Sequence, residues 1–224
     1  AFLQEKMQEY GVEYHVVEDD SRPTTLKQRY RCLGKTLLRV SHLRQHAIAR
    51  TLATSIVDNV TALMENTDLL IFSDFNYGCL PQTLVDELVR KAHTHGVLIA
   101  ADSQSSSQVG DVSRFHNAIL LTPTEREARL ATHDFDSGLV VLAEKLLCKA
   151  HAKNVLVTLG ESGVLIQNHS YATTERIPAL NPSARDTAGA GDSLLTVTSL
   201  ALATGCDIWH ATYLGMVAAG VQVS

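Results

Sequence analysis

The sequence predicts a three-layer α/β/α fold with a mostly parallel central sheet and a small β hairpin beside it. Three observations carry that expectation. Four short apolar runs, "DLLIFSD", "GVLIAAD", "AILLTP" and "NVLVTLG", alternate with segments of helical periodicity. Strands that are apolar on both faces and separated by helices belong to a parallel sheet covered on both sides. Two β-rich runs near the start, "TTLKQRY" and "KTLLRVS", are separated by a turn containing Gly34 and read as a hairpin.

In chain order, a helical start from about Phe2 to Tyr10 leads into "VEYHVV" and then into the hairpin. From about His46 the helix-then-strand alternation takes over. A second β-rich passage, "GVLIQNHSYATTERIP", follows the fourth apolar run, and two apolar helices finish the chain. Open α/β sheets bind ligands beyond the carboxyl ends of their strands. Those ends carry Asp74, Asp102, the "TPTERE" segment and "TLGESG", so polar and glycine residues are expected on one rim.

With 224 residues and 45% hydrophobic content, the chain has the material for one buried core, and a single domain over residues 1–224 is expected. Nineteen basic residues against 24 acidic ones give a net charge of -5, with no basic block of the kind that binds nucleic acid. A small polar substrate fits better. Cys32, Cys79, Cys148 and Cys206 lie too far apart for a CxxC pair or a zinc ligand set and read as reduced core residues of a cytoplasmic protein. The histidines form no HExxH motif. Charges interrupt the N-terminus where a signal peptide needs an apolar run, and no apolar span is long enough for a membrane helix. Neither export nor membrane insertion is expected, and the initial Ala in place of Met points to a processed or partial chain.

The chemistry concentrates in "DTAGAGD", residues 186 to 192. Asp192 is the single charged residue from 187 to 206, and a carboxylate in a first helical turn is favoured by the helix dipole. Gly189 and Gly191 remove Cβ atoms where unpaired N–H groups point outward, so phosphate oxygens can approach the amides of Gly189, Ala190 and Gly191. Asp192 would then stand beside an attacking hydroxyl as its proton acceptor. The alternative is an Asp-capped, glycine-rich helix start without chemistry. Neither GxxxxGK[ST] nor a complete GxGxxG is present, so the segment is neither a P-loop nor a dinucleotide fingerprint.

"DTAGAGD" resembles the DTxGAGD signature of the PfkB/ribokinase family of carbohydrate kinases. "VTLGESGVLI" resembles the family's nucleotide-loop strand and turn, and "IFSDFNYGCL", "IAADSQ" and "ILLTPTEREA" resemble its successive strand ends. "RPTTLKQRY" followed by "LLRVS" is most similar to the domain that phosphorylates D-glycero-D-manno-heptose 7-phosphate. The resemblance implies a ribokinase-like fold with residues 24–43 as part of a β lid, and ATP-dependent phosphorylation of a sugar or sugar-phosphate hydroxyl. Asp192 becomes the base, and the 189–191 amides the anion hole. Thr124, Thr158, Gly160 and Gly163 border the nucleotide, Glu127 organises Mg2+ through water, and Asp186 contacts the sugar. Another sugar or nucleoside kinase of the family, or a non-catalytic homologue, are the alternatives. The resemblance also implies a homodimer formed through the lid and is compatible with a fused or partner nucleotidyltransferase domain. Surface-polysaccharide (lipopolysaccharide) precursor synthesis is the corresponding setting.

Four positions depart from the family pattern. Thr124 stands where Asn is usual, Ser103 and Gln104 follow Asp102 where Pro-Lys is common, and Asn76 replaces a usual Lys. The family's first strands have no counterpart before Ala1, so about 60 to 80 residues are expected to be missing at the front. Lys27 and Arg29 alternate with apolar or neutral neighbours, so both project from one strand face and either meet a sugar phosphate or remain solvated lid charges. Glu127 also suits a stabilising acidic helix start, and Thr158 a plain strand end before a Gly160 turn.

Overall fold

The computed structural model describes residues 2–32, 35–105, 109–169, 174–181 and 187–224. Gly34 and Asp186 lie outside the described residues. The expected alternation is present. Helix α1 (Phe2–Glu9) precedes an antiparallel pair, β1 (Leu26–Cys32) and β2 (Lys35–His42), which forms its own two-stranded sheet. The "VEYHVV" run stays outside any regular element. The units that follow are α2 (Arg50–Leu63), β3 (Leu69–Asp74), α3 (Gln82–His95), β4 (Leu98–Ser103), β5 (Leu120–Leu121), α4 (Glu125–Thr132), α5 (Leu139–Ala150) and β6 (Asn154–Thr158). Strands β7 (Val164–Asn168) and β8 (Glu175–Ile177) precede α6 (Ala190–Ala203) and α7 (Ile208–Gln222).

Six strands form the main sheet in the order β3-β4-β5-β6-β7-β8, with β3 to β6 parallel and the last two antiparallel. Period-two alternation divides its apolar residues between two cores. Ile99, Ala101, Leu121, Val155, Val157 and Leu165 face the side covered by α2, α3, α4 and α5. Their neighbours Ala100, Leu120, Leu156, Val164 and Ile166 face the side covered by α6 and α7. Each fully buried Leu, Ile or Val contributes roughly 1.5–3 kcal/mol. Two such layers explain why the strands are apolar on both faces.

The four cysteines are free, as expected, but they are exposed and do not belong to the core. Each sits where an element ends or turns. Cys32 closes β1, Cys79 lies in the loop after β3, Cys148 is in the last turn of α5, and Cys206 lies between α6 and α7.

Parallel strands bring one set of ends together, and the rim they form is acidic. Asp74 closes β3 and is 3% exposed; Asp102, near the end of β4, is 8% exposed. Asp74 is neutralised, because Arg114 Nη2 donates to its Oδ2 at 2.8 Å and the Asn76 amide to its Oδ1 at 2.9 Å. Asp102 has no such help at Oδ1, which is buried without a hydrogen-bond partner among the described residues. Burial, and then the charges of Glu127, Asp192 and Asp74, push its carboxyl up from the ordinary 3.8 to about 7, against a smaller opposing effect of the Ser103 amide.

The folded protein therefore keeps a proton on Asp102 that the unfolded chain has already released between pH 3.8 and about 7. Stability contributed by this group is present below pH 3.8, falls as pH rises through that window and levels off above it. We expect Asp102→Asn, in metal-free buffer, to remove that fall, amounting to a relative gain on the order of 4 kcal/mol by neutral pH. Melting temperatures from pH 4 to 8 check this, and parallel curves for parent and variant would contradict it.

Candidate active site

The site is built from the carboxyl ends of β5 and β6, the start of α4, the start of α6 and the C-terminal part of α7. Together they enclose a cavity of about 960 Å3. Thr124, Thr158, Gly160, Gly163, Ala190 and Gly191 all line it. Six residues singled out from separate stretches of sequence thus meet at one surface. An apolar wall faces them, made by Leu194, Met216, Ala219 and Val223.

The opening of α6 explains its availability to a ligand. Gly189 occupies the N-cap position with φ +84°, and among the described residues no side chain caps the helix. A residue with a Cβ is strained in that conformation, and here its Cβ would also approach Gln222 Nε2 to 3.1 Å. The first carbonyl engaged is that of Gly189, which accepts from the Ser193 amide at 2.9 Å. Amides ahead of it have no intrahelical acceptor. The Ala190 amide makes only a long 3.4 Å turn contact to Thr187 O. A Cβ built on Gly191 would meet no atom within 4 Å, so this glycine leaves open space over the amides at the cavity wall. Asp192 follows immediately, exposed, in the same first turn.

The loop from Thr158 to Gly163 is held differently. Thr158 N donates to Pro123 O at 2.8 Å, and Thr158 bridges Thr124 in parallel register, which locks the end of β6 to the start of α4. A short 3-10 turn over Gly160–Ser162 then reverses the chain. Gly163 has φ +88°, and a Cβ there would lie 2.0 Å from Ile177 O, so β8 itself requires glycine. Gly163 has a structural reason as well as a place in the cavity wall.

Thr124 and Glu127 form a reciprocal capping box at the start of α4. Glu127 Oε2 accepts from Thr124 N at 2.8 Å and from Thr124 Oγ1 at 2.7 Å, while Oε1 accepts from Ser105 N at 2.7 Å. The buried carboxylate therefore ties the loop after β4 to α4. Glu127 and Asp192 do not line the cavity with Thr124 and Gly191, but both act on Asp102 through their charges.

Three of the four positions that depart from the family pattern, Asn76, Ser103 and Gln104, are joined to one another. Asn76, with φ +58°, donates from Nδ2 to Ser103 Oγ at 3.0 Å and to Gln104 O at 2.8 Å. Gln104 N returns a bond to Asp74 O at 2.8 Å. The loops after β3 and β4 are thus stitched by neutral groups, and Arg114 provides the positive charge beside Asp74.

On the hairpin, Lys27 Nζ lies 4.8 Å from the Phe75 ring centroid and 5.1 Å from that of Tyr77, which docks the hairpin on the loop after β3. Arg29 is exposed, and the register sets it directly opposite Arg39. Sequence reasoning missed Arg39 and also Arg22, although Arg22 opens the quoted "RPTT" run. Its guanidinium pairs with Asp19 at 2.6 Å and donates to Tyr77 O and His46 O at 2.7 Å each, fastening both stems of the hairpin to the sheet. Only the distant partners 24 and 55 residues away reveal that role.

Comparison with known proteins agrees with this geometry. The profile of the pfkB family carbohydrate kinases matches residues 1–224. The bifunctional protein HldE of Helicobacter hepaticus is 32% identical over 227 residues, covering 99% of this chain and 46% of that protein. HldE of Desulfatibacillum aliphaticivorans is 30% identical over 212 residues, covering 92% of this chain and 42% of that protein. The chain spans less than half the length of these curated relatives. Among solved structures, phosphofructokinase-2 from Escherichia coli superposes with a TM-score of 0.80 at 18% identity, over 99% of this chain and 71% of that one. Ribokinase from Giardia lamblia gives 0.78 at 19% identity, over 99% and 72%. The fold is therefore ribokinase-like, and with the family profile matching from end to end, the chain belongs to the pfkB family of carbohydrate kinases.

Proposed function

We propose that residues 1–224 form one kinase domain that transfers the γ-phosphoryl group of ATP to a sugar phosphate, with residues 24–43 as part of its lid. The observation that carries this reading is the uncapped, glycine-bordered opening of α6 on the cavity wall, with Asp192 in the same turn. In the reaction, the acceptor hydroxyl oxygen bonds to the γ-phosphorus as the bridging oxygen leaves with ADP. The hydroxyl proton passes to the Asp192 carboxylate. The amides of Gly189, Ala190 and Gly191 stabilise charge on the transferring group.

ATP suits the cavity, because an apolar wall for a base meets a polar wall for phosphates. The acidic rim fits a hydrated Mg2+. Among the described residues no three-carboxylate or His/Cys cluster is set for direct ligation, whereas Asp102 has a buried oxygen without a hydrogen-bond partner, and a nearby cation would favour the ionised form of that carboxyl. Glu127, with three of its acceptor positions already used, would hold the ion through water. When bound, the ion neutralises phosphate charge.

Heptose 7-phosphate, converted to heptose 1,7-bisphosphate, is the acceptor we favour. Directly opposed Arg29 and Arg39 repel each other unless an anion lies between them, and they share a strand face with Lys27. The HldE relatives and the "RPTTLKQRY" resemblance support the same acceptor. Leu26, Tyr30 and Leu38 are exposed on the opposite face, which suits a lid-to-lid homodimer. The bifunctional relatives also suit a partner or fused nucleotidyltransferase domain. No helix among the described residues is long and apolar enough to cross a membrane, and the free cysteines suit a reducing, cytoplasmic setting, with lipopolysaccharide precursors as the pathway.

An ADP-release assay over a panel of sugars and sugar phosphates tests the activity. Asp192→Asn should lower turnover at least about a hundredfold while ATP affinity stays nearly unchanged, because only the proton acceptor is lost. Turnover within about tenfold of the parent would remove Asp192 from the mechanism. The double Lys27→Ala, Arg29→Ala variant should lose selectivity for heptose 7-phosphate over the free sugar. Equal selectivity before and after would make these residues solvated lid charges.

A further inference from the structure

Among the described residues five charged side chains line the cavity, namely Glu125, Arg126, Arg129, Glu161 and Arg176. Two of the three arginines are already committed. Arg129 donates twice to Glu125 Oε1, at 2.9 and 2.8 Å, and also to the carbonyls of Asp134 and Ser137. Arg176 donates from both Nε and Nη2 to Ser162 O, at 2.9 and 2.8 Å. Arg126 is exposed, and among the described residues it makes no ion pair and no side-chain hydrogen bond.

Its position is unfavourable on local grounds. Arg126 is the second residue of α4, where the helix dipole favours anions and disfavours cations. Glu125 and Glu127 follow that rule on either side of it, and each has a partner within the protein. Arg126 breaks the rule with no compensating partner among the described residues. Its cavity neighbours include Thr124 at the helix cap, Thr158 beyond it, and Gly191 at the open start of α6.

We propose that Arg126 binds the polyphosphate of the nucleotide, its guanidinium holding phosphate oxygens from the α4 side of the cavity. This rests on the kinase reading above and assigns a further residue to its nucleotide site. A guanidinium offers several donors to phosphate oxygens in fixed geometry, so its contribution depends on the phosphates and not on the base.

Isothermal titration of the 224-residue chain with ATP and with adenosine, both in the presence of Mg2+, tests the proposal. Arg126→Ala should weaken ATP binding about tenfold and leave adenosine binding unchanged, while Arg126→Lys should keep most of the ATP affinity. Without nucleotide, Arg126→Ala should melt at or above the parent temperature, because a charge opposing the helix dipole is gone. An ATP affinity within about twofold of the parent would overturn the proposal. Equal losses for ATP and adenosine, or a lowered melting temperature, would make Arg126 a structural residue and overturn it as well. A parent chain that binds neither nucleotide would overturn both this proposal and the kinase reading, whereas ATP binding that ignores Arg126 would leave the kinase reading standing.

Discussion

Parallel strands put all their carboxyl ends on one rim, and in this chain that single constraint decides where the polar groups of the site lie. Asp74, Asp102, Thr124 and Thr158 come from stretches far apart in sequence, yet each stands at or just past a strand end. Strands β3 to β6 are too apolar to expose either face, so helices must cover both. The helices that return across the sheet then begin near the rim, where their first amides lack intrahelical partners. At α4 the capping box of Thr124 and Glu127 engages two of the amides there, those of Thr124 and Glu127. At α6 no side chain among the described residues does, and Gly191 keeps the approach open. This difference between two helix starts separates a structural joint from a surface suited to phosphate.

The rim also carries an electrostatic imbalance. Arg114 neutralises Asp74, and amides and a hydroxyl hold Glu127, but Asp102 is buried among like charges with an unpartnered oxygen. Such a group costs folding stability near neutral pH and is most readily explained by what the site is for. At the start of α4 Arg126 lines the cavity as a cation without a partner among the described residues. An arginine without a protein partner on the cavity wall is complementary to a polyphosphate.

Most of the fold was legible because its signals are local. Four apolar runs marked β3 to β6, alternation marked the hairpin, and the acidic turn at Glu127 marked a helix start. "DTAGAGD" located α6 and its open first turn, although Asp186 falls outside the described residues. Long-range pairings were not legible. Nothing near Lys27 announces that its ammonium rests on Phe75 and Tyr77, and nothing near Arg114 announces Asp74, 40 residues away. The cysteines misled because burial is usual for that residue type, whereas here each falls at the end of an element.

The central claim is that the first-turn amides of α6 receive the transferring phosphate. The most direct measurement is the backbone amide spectrum of the isotopically labelled chain, followed while ATP or adenosine is added with Mg2+. The account predicts that the Gly191 and Ala190 amide signals move strongly with ATP and stay in place with adenosine, since only a phosphate oxygen reaches those N–H groups. Signals that ignore ATP at saturation, or that move equally with adenosine, would contradict it.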